Sequence, residues 1–221
     1  MSENEIRRQI IEHCLMMNRN GLNQGVAGNI SVRLDDRMLI TPTSIPYDKL
    51  QVEDIVTMRF DAEYGAWQGP KPPSSEWRFH LDIMLSRPDV GAIVHAHPMY
   101  CTSIAITRRS IPACHYMIAA FGGNDVRCAD YATYGTKELS VNALKALDGR
   151  SACLLANHGA ISTGHDLPNA MWRAVELETI AHQYFNALLM GGPVIIADDL
   201  IEETRIKGFS NNYAGARGRK S

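Results

Sequence analysis

Apolar residues recur at helical spacing near the start of the chain, where Ile6, Ile10, Cys14 and Met17 form one stripe. Ser2 and Glu5 have capping-box spacing, which satisfies amides that the first turn leaves unpaired. Gly21 and Gly25 stand where this helix should end. Three short strand-like runs follow: Ile30 to Leu34, Met38 to Thr41 and Ile55 to Phe60. Clusters of Gly, Pro and Asp separate them, as in hairpins. After a Gly/Pro-rich loop from Gly65 to Pro73, a helix is predicted from Glu76 to Ser86, capped by Ser74 or Ser75. Ala92-Ile93-Val94-His95 reads as an apolar strand that must stop before Pro98, which has no amide hydrogen to donate. A helix is expected over 99–107, irregular chain over 111–135, a helix over 136–147 and a buried strand over 152–155. The longest helical pattern runs over 167–189, with Ala170, Ala174, Leu177, Ala181, Tyr184 and Leu188 on one face. The tail from Arg205 carries Arg217, Arg219 and Lys220 among Gly and Asn, and its end is expected to be mobile. Short strands with helices between and around them predict one α/β domain over 1–221, and the tight early turns favour a largely antiparallel or mixed sheet.

Composition narrows the functional classes. The chain has 221 residues, enough to bury a core without disulfide or metal staples. With 45% hydrophobic and 21% charged residues it is neither disordered, collagen-like nor a disulfide mini-scaffold. A net charge of -2 supplies no global field for nucleic acid or an anionic membrane, so Arg108-Arg109 and the basic tail read as solvated surface. The five cysteines are odd in number and widely spaced, the pattern of reduced thiols rather than a disulfide framework. No secretory leader and no apolar run near the roughly 20 residues of a membrane span is read. The expected location is the cytoplasm.

His95, His97 and His158 are the most informative residues. Positions i and i+2 of a strand face the same way, so His95-Ala96-His97 aims two imidazoles together at a strand end. His158 lies just beyond the apolar run Leu154-Leu155-Ala156. Two strand ends side by side would gather three imidazoles, and three protein ligands with an open position is the pattern of catalytic zinc. The plainer reading is three unrelated histidines in loops and strand caps. Glu76 stands at a helix start, where the macrodipole alone explains a carboxylate, although near a metal it could act as ligand or general base. The polar turns Gly28-Asn29-Ile30-Ser31, Thr41-Pro42-Thr43-Ser44 and Ser74-Ser75 offer amides and hydroxyls that suit a phosphate, and are equally ordinary turn chemistry. No P-loop, dinucleotide fingerprint or nucleophile elbow is present.

In order along the chain, Gly21-Leu22-Asn23-Gln24-Gly25, Gly28-Asn29-Ile30-Ser31, Leu39-Ile40-Thr41-Pro42-Thr43, Pro73 to His80, His95-Ala96-His97, His115 to Ala120 and Asn157-His158-Gly159 resemble the class II aldolase/epimerase family, adducin heads included. The resemblance reaches to about residue 190. It implies a three-layer α/β/α fold around a mostly antiparallel sheet, and a homotetramer with active sites between subunits. It implies one Zn2+ per subunit on His95, His97 and His158, with Glu76 as resting ligand and acid/base. It places Gly28, Asn29, Thr43, Ser44, Ser74 and Ser75 in a phosphate cup and gives Tyr116 the protonation of an aldehyde oxygen at a neighbouring site. The implied reaction is retro-aldol cleavage of a ketose 1-phosphate, L-fuculose 1-phosphate or a 5-deoxy- or 5-methylthio-ribulose 1-phosphate, to dihydroxyacetone phosphate and an aldehyde. Pentulose-phosphate 4-epimerases and a methylthioribulose-phosphate dehydratase share the site type, and an adducin-like binding domain would lack its histidines. Ser44 replaces a glycine usual in the family's phosphate turn, Asn157 replaces a histidine, and Tyr213 matches a C-terminal site tyrosine only weakly by position.

Overall fold

The computed structural model describes residues 2–209. Helix α1 (Glu3–Arg19) carries the capping box expected of Ser2 and Glu5 and buries Ile6, Ile10, Cys14 and Met17. Strands β1 (Asn29–Leu34), β2 (Arg37–Ile40) and β3 (Val56–Arg59) form an antiparallel meander. Then come α2 (Trp77–Ser86), β4 (Ala92–Ala96), α3 (Met99–Ile106), β5 (Ile111–Pro112), β6 (Asp125–Val126), β7 (Cys128–Ala129), α4 (Lys137–Ala146), β8 (Ala152–Leu155), β9 (Gly159–Gly164), α5 (Leu167–Leu189) and α6 (Asp198–Thr204). The main sheet has the order β3-β2-β1-β4-β9-β8-β7 and is antiparallel except where β7 meets β8. β5 and β6 form a separate two-stranded ladder.

Alternation along the strands divides the core between the two faces of this sheet. Ile30 and Val32 of β1 and Ala92, Val94 and Ala96 of β4 join one cluster with Ile6, Ile10 and Met17 of α1 and Leu167 and Met171 of α5. Ile93, Met38, Ile40 and Ile161 turn the other way, against Phe79, Ile83 and Met84 of α2 and Leu139 and Ala143 of α4. Helices therefore cover both faces, the three-layer α/β/α arrangement that the resemblance implied. Each fully buried large side chain contributes about 1.5–3 kcal/mol by leaving water, so α1, α3 and α5 on one face and α2 and α4 on the other hold the strand ends firmly.

Several local expectations change. Neither Ser74 nor Ser75 is the residue at the α2 cap; Glu76 occupies that position and makes no side-chain cap bond. The Ser74 hydroxyl accepts the Glu76 amide instead (3.3 Å), leaving the carboxylate free to turn inward. The segment 111–135 is not irregular throughout: it holds three two-residue strands and a 3-10 helix, Tyr116–Phe121. Gly159–Gly164 is a strand that its small residues concealed. Leu188 is 37% exposed and leaves the buried face of α5, which consists of Ala170, Ala174, Leu177, Ala181 and Tyr184 with Ile180 and Met171. Beyond residue 190 the chain forms α6, and residues 205–209 continue it as a π turn. Tyr213 and the basic tail residues lie outside the described residues.

Candidate metal centre

Period two places Asn29 and Ser31 on the same face of β1, opposite Ile30 and Val32, and His95 on the same face of β4 as Ile93. Asn29 pairs with His95 across the ladder. That face looks toward α2, whose entry residue is Glu76. His97 follows the end of β4, and its amide donates to Asn23 Oδ1 (2.9 Å). His158 sits in the tight β8–β9 turn, and β9 pairs with β4 so that Ala160 faces Ala96. A hairpin turn beside the end of β4, rather than two neighbouring strand ends, therefore brings the third imidazole in. Gly28 makes the approach close: a Cβ there would stand 2.5 Å from the His95 carbonyl oxygen.

Four side chains converge. Among the described residues Glu76, His95, His97 and His158 each place a ligand atom within 4.8 Å of the others. His95 Nε2 lies 3.0 Å from His97 Nε2 and 3.0 Å from Glu76 Oε2, and His158 Nε2 lies 3.2 Å from Glu76 Oε1. The His95 Nδ1–H is spent on the Ala160 carbonyl (3.0 Å), so Nε2 presents a lone pair to the cluster. Glu76 Oε1 is buried with no hydrogen-bond partner. Acceptors facing acceptors in a buried place are costly unless a cation lies between them, and a divalent metal fits this set of nitrogen and oxygen donors.

The electrostatics agree. Burial pushes the His97 imidazole down to about 3, and the charges of His95 and His158 push the same way. Burial, then His95, pushes His158 down to about 4. Both rings are therefore neutral at pH 7, the state a ligand needs. Burial works to raise the Glu76 carboxyl, but His95, His158 and the Asn29 amide outweigh it and hold it well below the usual carboxylate range.

The rest of the surroundings divides in two. A cavity of about 320 Å³ opens onto the cluster, lined by Ala27, Ser75, Glu76, His97, Tyr131, Ala132, Tyr134, Asn157 and His158. Tyr131 and Tyr134 escaped the sequence reading because their segment shows no period. The one signal is Gly135, whose left-handed φ of +74° and tight approach to the Ser75 carbonyl bring this loop against the α2 entry. Thr43, Ser44 and Ser74 gather nearby because Pro42 bridges Pro73 and the Ser74 amide donates to the Thr41 carbonyl (2.9 Å). Ser44 adopts φ 61°, the left-handed region that explains a glycine preference at that turn. Asn157 is also left-handed (φ 56°), and its Oδ1 accepts from Arg108 Nε (3.0 Å). Asn29 departs from a simple cup residue: its Nδ2 donates to Glu76 Oε2 (3.0 Å), and its Oδ1 accepts from His80 Nε2 (2.5 Å). Tyr116, at the start of the 3-10 helix, is 54% exposed and does not line this cavity.

One fully buried histidine makes stability depend on pH. Burial, with His95 adding to it, pushes His80 down to about 3, whereas in the unfolded chain its pKa is about 6.5. Between these values the unfolded state binds a proton that the folded state refuses. Stability is complete above about pH 6.5 and falls as pH drops toward 3. The His80 contribution lost from pH 7.5 to pH 5 is expected to be about 2 kcal/mol. His97 and His158 add losses of the same sign, so urea unfolding of the metal-free wild type and His80→Gln at both pH values checks this, and an equal pH dependence in the two would contradict it.

Comparisons with known proteins agree with this geometry. Residues 8–185 match the family model described as class II aldolase and adducin N-terminal domain. The L-fuculose phosphate aldolase of Escherichia coli K12 is 51% identical over 199 residues, 90% of this chain and 91% of that protein. The 5-methylthioribulose-1-phosphate/5-deoxyribulose-1-phosphate aldolase of Rhodospirillum rubrum is 48% identical over 209 residues, 94% of this chain and 93% of that protein. A solved L-fuculose 1-phosphate aldolase superposes with a TM-score of 0.89 at 41% identity, covering 94% of this chain and 97% of the other. The chain belongs to the class II aldolase and adducin N-terminal domain family.

Proposed function

We propose that this protein is a zinc-dependent aldolase that cleaves a ketose 1-phosphate, L-fuculose 1-phosphate or a 5-deoxy- or 5-methylthio-ribulose 1-phosphate, to dihydroxyacetone phosphate and an aldehyde. The observation that carries the reading is the convergence of three imidazoles on Glu76, whose Oε1 has no partner. Relatives that act on both kinds of substrate support it. His95, His97 and His158 would hold the ion, with Glu76 as a further ligand at rest. When bound, the ion supplies Lewis acidity to the negative charge that develops on the ketose carbonyl oxygen.

The chain supplies the rest. Gly28, Asn29, Thr43, Ser44, Ser74 and Ser75 hold the phosphate through amides and hydroxyls, with the Asn29 side-chain oxygen already committed to His80. The C4 hydroxyl loses its proton to solvent by way of the tyrosine at the aldehyde oxygen, the C3–C4 bond breaks, and its electron pair remains with the dihydroxyacetone phosphate half. Glu76, ionised at rest, takes up a proton from solvent and delivers it to C3 of that half, and removes it in the synthetic direction. Tyr116, exposed and away from its own cavity, serves the aldehyde oxygen at a neighbouring subunit's site in a homotetramer. Tyr131 and Tyr134 face the aldehyde half.

The test is a coupled assay for dihydroxyacetone phosphate with L-fuculose 1-phosphate and 5-deoxyribulose 1-phosphate. Release from either supports the aldolase, and the ratio of rates selects the substrate. No release from a zinc-loaded protein would overturn the reading in favour of epimerisation or dehydration at the same site.

A further inference from the structure

His80 lies one helical turn beyond Glu76 on α2 and is fully buried. Its ring touches polar groups on both sides. Nδ1 lies 2.7 Å from the Ser31 hydroxyl, and Nε2 lies 2.5 Å from Asn29 Oδ1. The amide oxygen has no hydrogen, so Nε2 must carry the proton and Nδ1 must accept from Ser31. Asn29 then has its amide orientation decided: oxygen toward His80, nitrogen toward Glu76 Oε2 (3.0 Å). The bonds run one way, Ser31 to His80 to Asn29 to Glu76. The flipped amide would set its oxygen against a carboxylate oxygen of Glu76. Ser31 and Asn29 share one face of β1, and His80 and Glu76 one side of α2, so the chain ties the sheet to the helix entry.

We propose that His80 is a positioning residue for the aldolase reaction: by fixing the Asn29 amide it pins Oε2 of Glu76 and leaves Oε1 as the oxygen that works. The consequence for turnover rests on the aldolase reading; the hydrogen-bond chain does not. A ring kept neutral by burial, its pKa pushed down to about 3, can act as donor and acceptor at once throughout the neutral range.

Two measurements test this. The first needs no turnover: 15N-histidine spectra of the metal-free protein at pH 7, with the His80 signals assigned by their loss in His80→Gln. The expected result is an Nε2–H ring with a hydrogen-bonded Nδ1 that shifts in Ser31→Ala. An Nδ1–H ring, a charged ring or an unmoved Nδ1 would overturn the chain. The second is kinetic. His80→Leu removes both bonds and is expected to lower kcat about 10- to 100-fold with KM little changed. His80→Gln, which keeps a donor and an acceptor, should recover most of that loss. Unchanged kcat in His80→Leu, or equal losses in both variants, would contradict the positioning role. If His80→Leu does not fold, Ser31→Ala takes its place and must lower kcat in the same sense. Should the wild type release no dihydroxyacetone phosphate, the aldolase reading fails, while the spectra still decide whether the chain exists.

Discussion

Stripping the protein with a strong chelator is expected to abolish dihydroxyacetone phosphate release, and adding back Zn2+ to restore it. His95→Ala is expected to reproduce the loss permanently. The argument rests on the donor set. His95 is wholly buried and its Nδ1–H is committed to the Ala160 carbonyl. In the neutral ring its Nε2 therefore presents a lone pair, and His97 and Glu76 crowd the same point at 3.0 Å. If the ion supplies several kcal/mol of charge stabilisation, its loss corresponds to about a thousandfold or more in kcat. Metal content measured beside the rate separates causes. A metal-free wild type that retained full activity would refute metal dependence. A His95→Ala protein that kept both its metal and its activity would remove His95 from the site.

Glu76→Gln should leave the fold and the metal in place while lowering kcat by about 10²- to 10⁴-fold, the range for loss of a positioned acid or base. Glutamine has nearly the same shape and still offers an oxygen to the Asn29 amide, so the neighbouring bonds survive. It cannot carry a proton to and from C3. If the turns proposed to hold the phosphate carry substrate binding, KM should move much less than kcat. Exchange of the C3 hydrogen of dihydroxyacetone phosphate with solvent is the sharper readout, because it reports the proton step without the aldehyde. Exchange at the wild-type rate in Glu76→Gln would assign that step to another group.

Some features were legible residue by residue. The strand from Ile30 was among them, but Asn29 and Ser31 read as a polar turn, and only the structure shows them buried on one face of β1. The i, i+2 pair His95 and His97 was readable as a shared direction. The α2 entry was not: a carboxylate at a helix start is ordinarily a cap, and only the buried imidazoles around Glu76 show why it turns inward. Tyr131, Tyr134 and His80 carried no pattern of their own.

The sequence by itself determined the parts that depend on neighbours a few residues away. These are the α1 stripe with its capping box, the early strand runs with the tight turns between them, and the wide spacing of the five cysteines, none of which is paired in the structure. The tertiary structure alone decided what depends on distant pairing. His95 meets Ala160 across 65 residues, Asn29 meets Glu76 across 47, and His80 meets Asn29 across 51. Local propensity does not encode which strands become neighbours. The entropy of closing such loops is recovered only when the whole sheet and its two helical layers form together. The site is a product of that joint closure, because each of its side chains is held by an element that another part of the chain must put in place.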